Sequence, residues 1–591
     1  MAKKFIMLFV WILICPLALD AAADWNVRDS GALGDGATDD TLAFQQALDA
    51  AGAAGGGVVH VPAGAYCIRG NLRIPGAVTL QGVFRTPPLP FGGPNGKLAG
   101  SVLEAYAGRG TQEGEPFIRL AGHASTVAGL IVRYPEWKQS EVPPVPYPPT
   151  ITGDHVEDVA VLDCLLLNSY EGMHFQGSAR MIVRNVFGYP SFRGLYIDAG
   201  YDIARVENCH FWPFGVVYNA DDPYCKWVNT EGVAFEFGRT DWQYVTHTFC
   251  FGYGIGYRFS KTDAGSCNGS FVGIGADSCR RGVYVEEAQK AGLLITNGEF
   301  VGRWGSTDSV GLEIAESVGQ GKVNLNTCSF WGPLDVCLVS RSNKAQLSVS
   351  NTNFCDWDIN GTDSPAVQLD AGKAIFQGNT FDDGRVHVRV GAAVESAILM
   401  GNQGGGGFRF ENAAADRTQA LGNEQSRVKW NDEHKAHYKI DVGAPGDGLY
   451  LSGWHGREEA PEWGESGTRR WSTTGSVVLL PTVPGTTYTL RLRLRLEGYS
   501  LAPENGLYLG DTRLAPLPEA AGNGEVVATF VAENDETRLA LRVKTWRPVD
   551  VMPGNGDARA LGAAVRDLVV EAEGAADTAI FDANTGEMVT P

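Results

Sequence analysis

The chain has 591 residues, 48 Lys and Arg against 68 Asp and Glu, a net charge of −20, 75 glycines and 11 cysteines. That length exceeds one ordinary core, so two or more domains or a solenoid are expected. The acidic balance excludes the basic surface of a nucleic-acid binder and weighs against a polyanionic substrate, except where a cleft is locally basic.

Residues 1–23 read as a secretory signal. Lys3 and Lys4 form the charged start, Phe5 to Leu19 the apolar stretch, and Ala21-Ala22-Ala23 the cleavage site before Asp24. The apolar run is too short for a membrane span and no other segment is long enough, so the mature protein is expected to be secreted or periplasmic, without a membrane span. Cys15 sits in a poor context for lipid attachment.

The stretch Trp25 to Ile68 combines a short strand (Trp25 to Arg28), a Gly-Ala-Leu-Gly-Asp-Gly turn at Gly31 to Gly36, a helix opened by Thr38-Asp39-Asp40-Thr41, and a buried strand from Val58 to Val61. Thr38 is suited to cap the helix, with Asp39 and Asp40 at the positive end of its dipole. Leu42, Ala43, Phe44, Ala47, Leu48 and Ala51 repeat at helical spacing and predict one apolar face.

From about residue 153 a triplet recurs, apolar then any residue then Asn: Val183-Arg184-Asn185, Val206-Glu207-Asn208, Ile295-Thr296-Asn297 and Val349-Ser350-Asn351, with Asp163 and Thr327 in the same slot elsewhere. Most are followed by a Gly-led or apolar strand, the Gly-led ones opening at Gly172, Gly194, Gly232, Gly256, Gly282 and Gly311. The period is roughly 22 to 30 residues with one longer gap, as stacked coils of short strands require. The Asn column reads as an amide ladder at a coil corner, structural and not catalytic. Ten cysteines follow the signal, from Cys67 to Cys355, without a Cys-x-x-Cys pair. Export permits disulfides, but the pattern favours small buried residues stacked in a core.

The coils fade after Gly407-Phe408-Arg409-Phe410, and residues 412–437 look like a boundary. Beyond it, Tyr488 to Leu496 alternates strictly and Arg538 to Val543 nearly so, as in an antiparallel sandwich with one buried face. The aromatic and charged stretch from Gly453 to Trp471 reads either as a sugar-binding edge or as a strap between the two parts. The division expected is 1–23 signal, 24–430 catalytic coils and 431–591 accessory β-sandwich.

Outward residues at matching positions of stacked coils form columns about 4.8 Å apart. Aligning the Gly-led strands on their glycines puts Met173, Leu195, Val233, Tyr257 and Val283 inside. His174, Tyr196, Ala234, Arg258 and Tyr284 then form one outer column, and Gln176, Asp198, Glu236, Ser260 and Glu286 the next. In this register Asp198 and Glu236 are neighbours on adjacent coils. Paired carboxylates take opposed protonation states, which glycoside hydrolysis needs. Asp198, Glu236 and Asp241 are therefore the candidate catalytic set, with His174, Tyr196, Arg258 and Tyr284 positioning substrate. Two long loops, 134–153 and 211–231, carry Trp137, Tyr147, Trp212 and Trp227 beside Trp242 and Tyr244. Trp212 and Trp242 are candidates to stack on sugar rings, with loop packing as the alternative. No metal site is expected on motif grounds: HExxH, zinc spacing and a phosphate loop are missing. Asp221-Asp222 is the one candidate for a cation such as calcium.

The Trp25–Ile68 block resembles the entry of the pectate-lyase-like, right-handed parallel β-helix superfamily, in which a helix caps the first open coil. The resemblance extends in texture to about residue 430. It implies an all-β fold, a right-handed parallel β-helix with an N-terminal capping helix plus a C-terminal antiparallel β-sandwich, and a polysaccharide or oligosaccharide partner. The polygalacturonase motifs (Asn-Thr-Asp, a following Asp-Asp, Gly-His-Gly, Arg-Ile-Lys) are missing in that order, so no residue carries over by motif. Three readings stand: a secreted glycoside hydrolase with paired carboxylates; a polysaccharide lyase acting on a uronate polymer, with Arg258, His174 and Tyr284 as candidates; and a non-enzymatic glycan-binding β-helix.

Overall fold

The structure, a computed structural model, describes residues 24–86, 98–303, 306–382, 385–425, 428–461, 467–575 and 579–589. The signal-like segment lies outside the described residues. Three parallel faces wind from Asp24, well before the first Asn triplet, because Asp24–Asn26 already pairs with Gly57–His60. The first face stacks Glu171–Gln176, Arg193–Asp198, Val233–Phe237, Ile255–Phe259 and Arg281–Val285. The second includes Arg205–Glu207, Thr240–Thr246, Cys267–Val272 and Leu293–Thr296. The third includes His210–Phe211, Phe249–Phe251, Gly275–Asp277 and Glu299–Phe300.

The Asn column has a backbone cause. Asp163, Asn185, Asn208, Asn297, Thr327 and Asn351 all sit at φ between +49° and +56°, at the corner between the second and third faces. Asn and Asp tolerate this left-handed conformation better than other side chains. The side chains link where they stack, Asn185 Nδ2 donating to Asp163 Oδ1 (2.7 Å) and Asn208 Nδ2 to Asn185 Oδ1 (2.9 Å), but this ladder is on the outside. A buried amide ladder lies one position later and only in the last coils, through Asn379, Asn402 and Asn423. Cys164, Cys209 and Cys328 fill that same position in earlier coils. All ten described cysteines are free thiols, nine of them buried, so the stacked-core reading holds.

Helix α1 (Thr41–Ala53) buries Ala43, Phe44, Ala47, Leu48 and Ala51 against the first coil, with Phe44 edge-on to Tyr66 at 5.1 Å. Two expectations fail here. Leu42 points to solvent at 68 % exposure. Thr38 does not cap the helix: it lies in the strand Asp35–Asp39 and donates to Asp35, while Asp40, the N-cap residue, accepts from Leu33 and Gly34 and so ties down the preceding turn.

After residue 437 the pairing turns antiparallel, but for one parallel pair between His437–Asp441 and Ile580–Asp582. The strand Thr468–Pro481 bridges two sheets, its first half pairing with Ala564–Ala572 and its second with Glu536–Arg542. Tyr488, Leu490, Leu492, Leu494 and Leu496 face the shared core as the alternation predicts. The Gly453 stretch meets the coils: Ser452 Oγ donates to Asp363 (2.8 Å), and Gly361 and Gly453 approach too closely for any side chain.

Candidate functional site on the first face

A tight column of small residues sets the register of the first face. A Cβ on Gly172 would lie 2.4 Å from the Gly194 carbonyl, one on Gly194 2.4 Å from that of Ala234, and one on Gly256 2.6 Å from that of Gly282. Ala234, not Gly232, is therefore the member of this column on its coil. The register slips two residues from the one read off the glycines, because the inserted segment before this strand ends on a glycine of its own. Phe235 faces inward where Val233 was expected, and Val233 stacks on Arg193. Glu236 takes the place expected for Ala234, directly between Tyr196 and Arg258. Asp198 and Glu236 are thus not register partners.

The corrected column reads His174, Tyr196, Glu236, Arg258, Tyr284, Glu313. His174 and Tyr196 meet edge to face with ring centroids 4.8 Å apart. A chain of alternating charge crosses it from its N-terminal to its C-terminal side. Arg193 donates to Glu171 (2.8 and 3.0 Å) and to Glu236 (3.1 Å), Arg258 lies 3.9 Å from Glu236, and its Nε donates to Glu286 (2.9 Å). The Arg193 guanidinium also covers the Tyr196 ring at 4.2 Å. Glu171 and Glu236 are buried, whereas His174 and Arg258 reach solvent with about a third of their side chains.

These surroundings act on the protons. Burial alone would raise the Glu171 carboxyl, but His174 and Arg193 outweigh it and hold it below the usual carboxylate range. Burial, then the charges of Asp198 and Glu236, push the Tyr196 phenol above its ordinary range, so it keeps its proton. Nδ1 of His174 lies 3.1 Å from Glu171 Oε1. With Nδ1–H donating there, the lone pair resides on Nε2, which has no hydrogen-bond partner among the described residues.

The other candidates lie outside this column, Asp198 close enough to act on Tyr196 and the rest on other faces. Asp198 is buried and accepts from the backbone N–H of Ala199 (2.8 Å) and Arg239 (2.7 Å) and from Thr262 Oγ1 (2.9 Å), so it pins the turn above it. Asp241 forms a two-pronged pair with Arg239 (2.6 and 2.9 Å) on the second face, away from the His174 column. Trp242, also on the second face at φ +50°, donates its backbone N–H to Asn268. Trp212 belongs to the third face, where it packs on Phe214 and Phe251. Of the expected site, His174, Tyr196, Glu236, Arg258 and Tyr284 come together, Asp198 lies beside Tyr196 outside the column and holds a turn, and Asp241, Trp212 and Trp242 do not join them.

The two long loops pack on each other, through reciprocal bonds between Gln139 and Val217 and an edge contact of Trp137 on Tyr224. The second ends in an unexpected helix, α2 (Pro223–Glu231). Asp222 is its N-cap, accepting from Tyr224 and Cys225, and Asp221 pairs with Lys226 (3.1 Å), so the calcium candidate has other work. Among the described residues no group of three or more His, Cys, Asp or Glu could hold a metal ion. Sequence reasoning missed Glu171 and Arg193, which directly precede the glycine column, and the aromatics before them. Tyr170 and Phe192 stack at 5.1 Å, with Trp227 tilted beside Tyr170 at 6.4 Å, a partly exposed platform next to His174's partner Glu171. The signal was there: an aromatic, a charge and a glycine in Tyr170-Glu171-Gly172 and again in Phe192-Arg193-Gly194.

A family model described as rhamnogalacturonase A/epimerase, pectate lyase-like, matches residues 25–112. Together with the coils it fits a pectate-lyase-like parallel β-helix superfamily. Among curated proteins, mannuronan C5-epimerase AlgE3 of Azotobacter vinelandii is 38 % identical over 117 residues, 18 % of this chain and 6 % of that protein. Mannuronan C5-epimerase AlgE1 of the same organism is 62 % identical over 48 residues, 8 % of this chain and 3 % of that protein. The chain thus spans only a small part of the length of these relatives. Among solved structures, the A-module of Azotobacter vinelandii mannuronan C-5 epimerase AlgE4 aligns over 67 % of this chain and 97 % of its own, at 16 % identity and a TM-score of 0.42.

Proposed function

We propose that this chain is an enzyme acting on a polysaccharide, and that its reaction removes a proton next to the carboxylate of a uronate unit. The observation that carries the reading is the Glu171–His174–Tyr196 arrangement: a histidine oriented by a buried carboxylate, in ring contact with a tyrosine that keeps its proton. Nε2 of His174 is the base that takes the proton from C5, with Glu171 stabilising the imidazolium as it forms. Arg258, the most exposed cation of the column, pairs with the uronate carboxylate and lowers the cost of the developing enolate. In β-elimination the Tyr196 hydroxyl gives its proton to the departing O4, the C4–O4 bond breaks and a C4–C5 double bond forms. In epimerisation a proton returns to C5 from the other face and no bond to O4 breaks. Base and acid share one face here, which favours elimination. The relatives named mannuronan C5-epimerase, and one named alginate lyase 7 of Azotobacter vinelandii, 57 % identical over 48 residues, support a uronate substrate. Export through residues 1–23 fits a polymeric substrate and belongs to the same proposal.

A second reading, glycoside hydrolysis, is favoured by the two carboxylates of Asp198 and Glu236, whose charges both bear on Tyr196. One experiment separates the readings. The protein is incubated in D2O with polymannuronate, polygalacturonate and a neutral glucan, and ultraviolet absorbance, reducing ends and deuterium at C5 are read together. Absorbance rising with reducing ends is the expected result, falling about 10²- to 10⁴-fold in His174→Gln and Tyr196→Phe. Deuterium without absorbance makes the enzyme an epimerase. Reducing ends without either signal make it a hydrolase, and no signal on any polymer overturns the proposed reaction and leaves the fold alone standing.

A further inference from the structure

The four lysines between residues 262 and 428 fall at 290, 322, 344 and 373, one on each of four successive coils. Lys290 lies in the turn after Arg281–Val285, Lys322 opens Lys322–Asn326, Lys344 lies in the turn before Gln346–Ser350, and Lys373 follows a kink at Gly372 (φ +81°). Every one of these places is the corner at which the chain leaves the first face for the second. In the register Lys322 is opposite Gln346 and Gln346 opposite Lys373, so Lys322 and Lys373 share a column, and Lys290 and Lys344 stand two residues ahead of it in the turns. Two adjoining hollows of about 500 and 430 Å³ share Lys322, Gln346 and Lys373.

The charge here differs in kind from that of the first face. Arg193, Arg258, Arg281 and Arg341 each hold a carboxylate. Of the four lysines, Lys373 pairs with Glu395 (2.9 Å), while Lys290, Lys322 and Lys344 are exposed and have no ion-pair partner among the described residues. Three unneutralised cations in a row are conspicuous on a chain of net charge −20. Beside them the next outward column offers Asn324, Ser348, Ile375 and Ile398, two polar groups followed by two apolar ones. Ile375 is 42 % exposed. Cations at one-coil intervals, beside amide and hydroxyl groups and an apolar patch, match the carboxylates, hydroxyls and ring faces of an acidic glycan.

We propose that this corner is a second binding groove for a run of uronate sugars, continuing from the coil of Tyr284 away from the reacting residues and holding the polymer rather than acting on it. The inference rests on the uronate reading above for the identity of its ligand. A polymer held along the corner keeps its neighbouring units close to the first face, so the groove lowers KM for long chains and leaves short oligosaccharides unaffected.

The test uses the full chain carrying His174→Gln, so that binding is read without turnover, with and without Lys290→Gln, Lys322→Gln and Lys344→Gln. Affinity for polymannuronate, for dextran and for duplex DNA is measured at low and physiological salt. Each exposed charge pair contributes a few-fold, so the triple variant is expected to bind polymannuronate about tenfold more weakly, with a smaller loss at higher salt. Dextran is expected not to bind through this groove, and unchanged thermal unfolding is expected because the three side chains are at the surface. A triple variant that binds polymannuronate like its parent, or a parent that does not bind it, overturns the proposal. Equal lysine-dependent capture of DNA overturns the uronate assignment in favour of a general polyanion patch. Lysine-dependent binding without turnover in the native chain sinks the proposed reaction and leaves the groove. Turnover with binding indifferent to the lysines does the reverse.

Discussion

The coils and the sheets after residue 437 solve the same problem in opposite ways. In the coils like stacks on like: Phe330, Phe354 and Phe381 pile up at 5.1 and 4.5 Å with rings within 6° of parallel, and Asn379, Asn402 and Asn423 form their amide ladder. In the antiparallel sheets neighbours are complementary: Arg493 donates to Asp567 opposite it (2.6 Å), and Arg469 to Glu458 opposite it (3.1 Å). A coil places each residue over the one at the same position a turn earlier, so a substitution is felt along its own column, by like residues in the Phe and Asn stacks and by unlike ones in the His174 column. A sheet built from hairpins places it opposite a partner chosen independently. Energy in the coils is therefore shared along columns, and in the sheets it is held in a common core.

The largest expected effect tests whether the two parts are separate units, as the proposed division at residue 430 implies. Leu492 is fully buried between Leu568 and Val526. Leu492→Ala should cost about 2–5 kcal/mol. Calorimetry is expected to show two transitions with only one displaced; a single transition that shifts as a whole would join the two parts into one cooperative body. Next in size is Asn402→Ala. Its amide accepts from Asn379 and donates to the Phe376 carbonyl in the interior, and donates to the half-buried Asn423. Leaving those groups unpaired should cost about 1–3 kcal/mol and displace the other transition. If it does not move, water replaces the amide and the ladder is not a shared column.

The same contrast explains what could be read in the chain. Faces of the antiparallel strands follow from alternation alone, which is why Tyr488 to Leu496 is assigned correctly without any knowledge of its partners. A coil column needs the length of every intervening loop. The glycines marked the column well at Gly172, Gly194, Gly256 and Gly282, and failed where Ala234 holds the position two residues after a misleading Gly232. That slip moved Glu236 beside Asp198 and produced a carboxylate pair that the register does not contain. His174, Tyr196, Arg258 and Tyr284 survive because their coils have a glycine in register. Glu171 matters through a hydrogen bond back to His174 on its own strand, an interaction that counting residues between coils does not expose.

Close coils have a penalty where like charges come near each other, and the smallest prediction measures it. Asp277 and Glu299 lie on adjacent coils of the third face, as diagonal neighbours because Glu299 is opposite Gly275, and neither has a cationic partner among the described residues. Burial, and then the Glu299 charge, raise the Asp277 carboxyl from 3.8 to about 6. The sign follows from linkage: the folded state binds this proton more tightly than the unfolded one, so stability rises as pH falls from about 6 towards 3.8. Above that window the ionised group carries its full cost, and below it both states are protonated and the cost disappears. Asp277→Asn removes the charge and should raise the melting temperature at pH 7, by roughly 1 kcal/mol of stability once screening of this partly exposed group is allowed for. Near pH 4 the substitution should change little. A variant that melts lower than the parent at pH 7 would mean that the Asp277 carboxylate is stabilised in the folded state, and that acids on neighbouring coils are accommodated without cost.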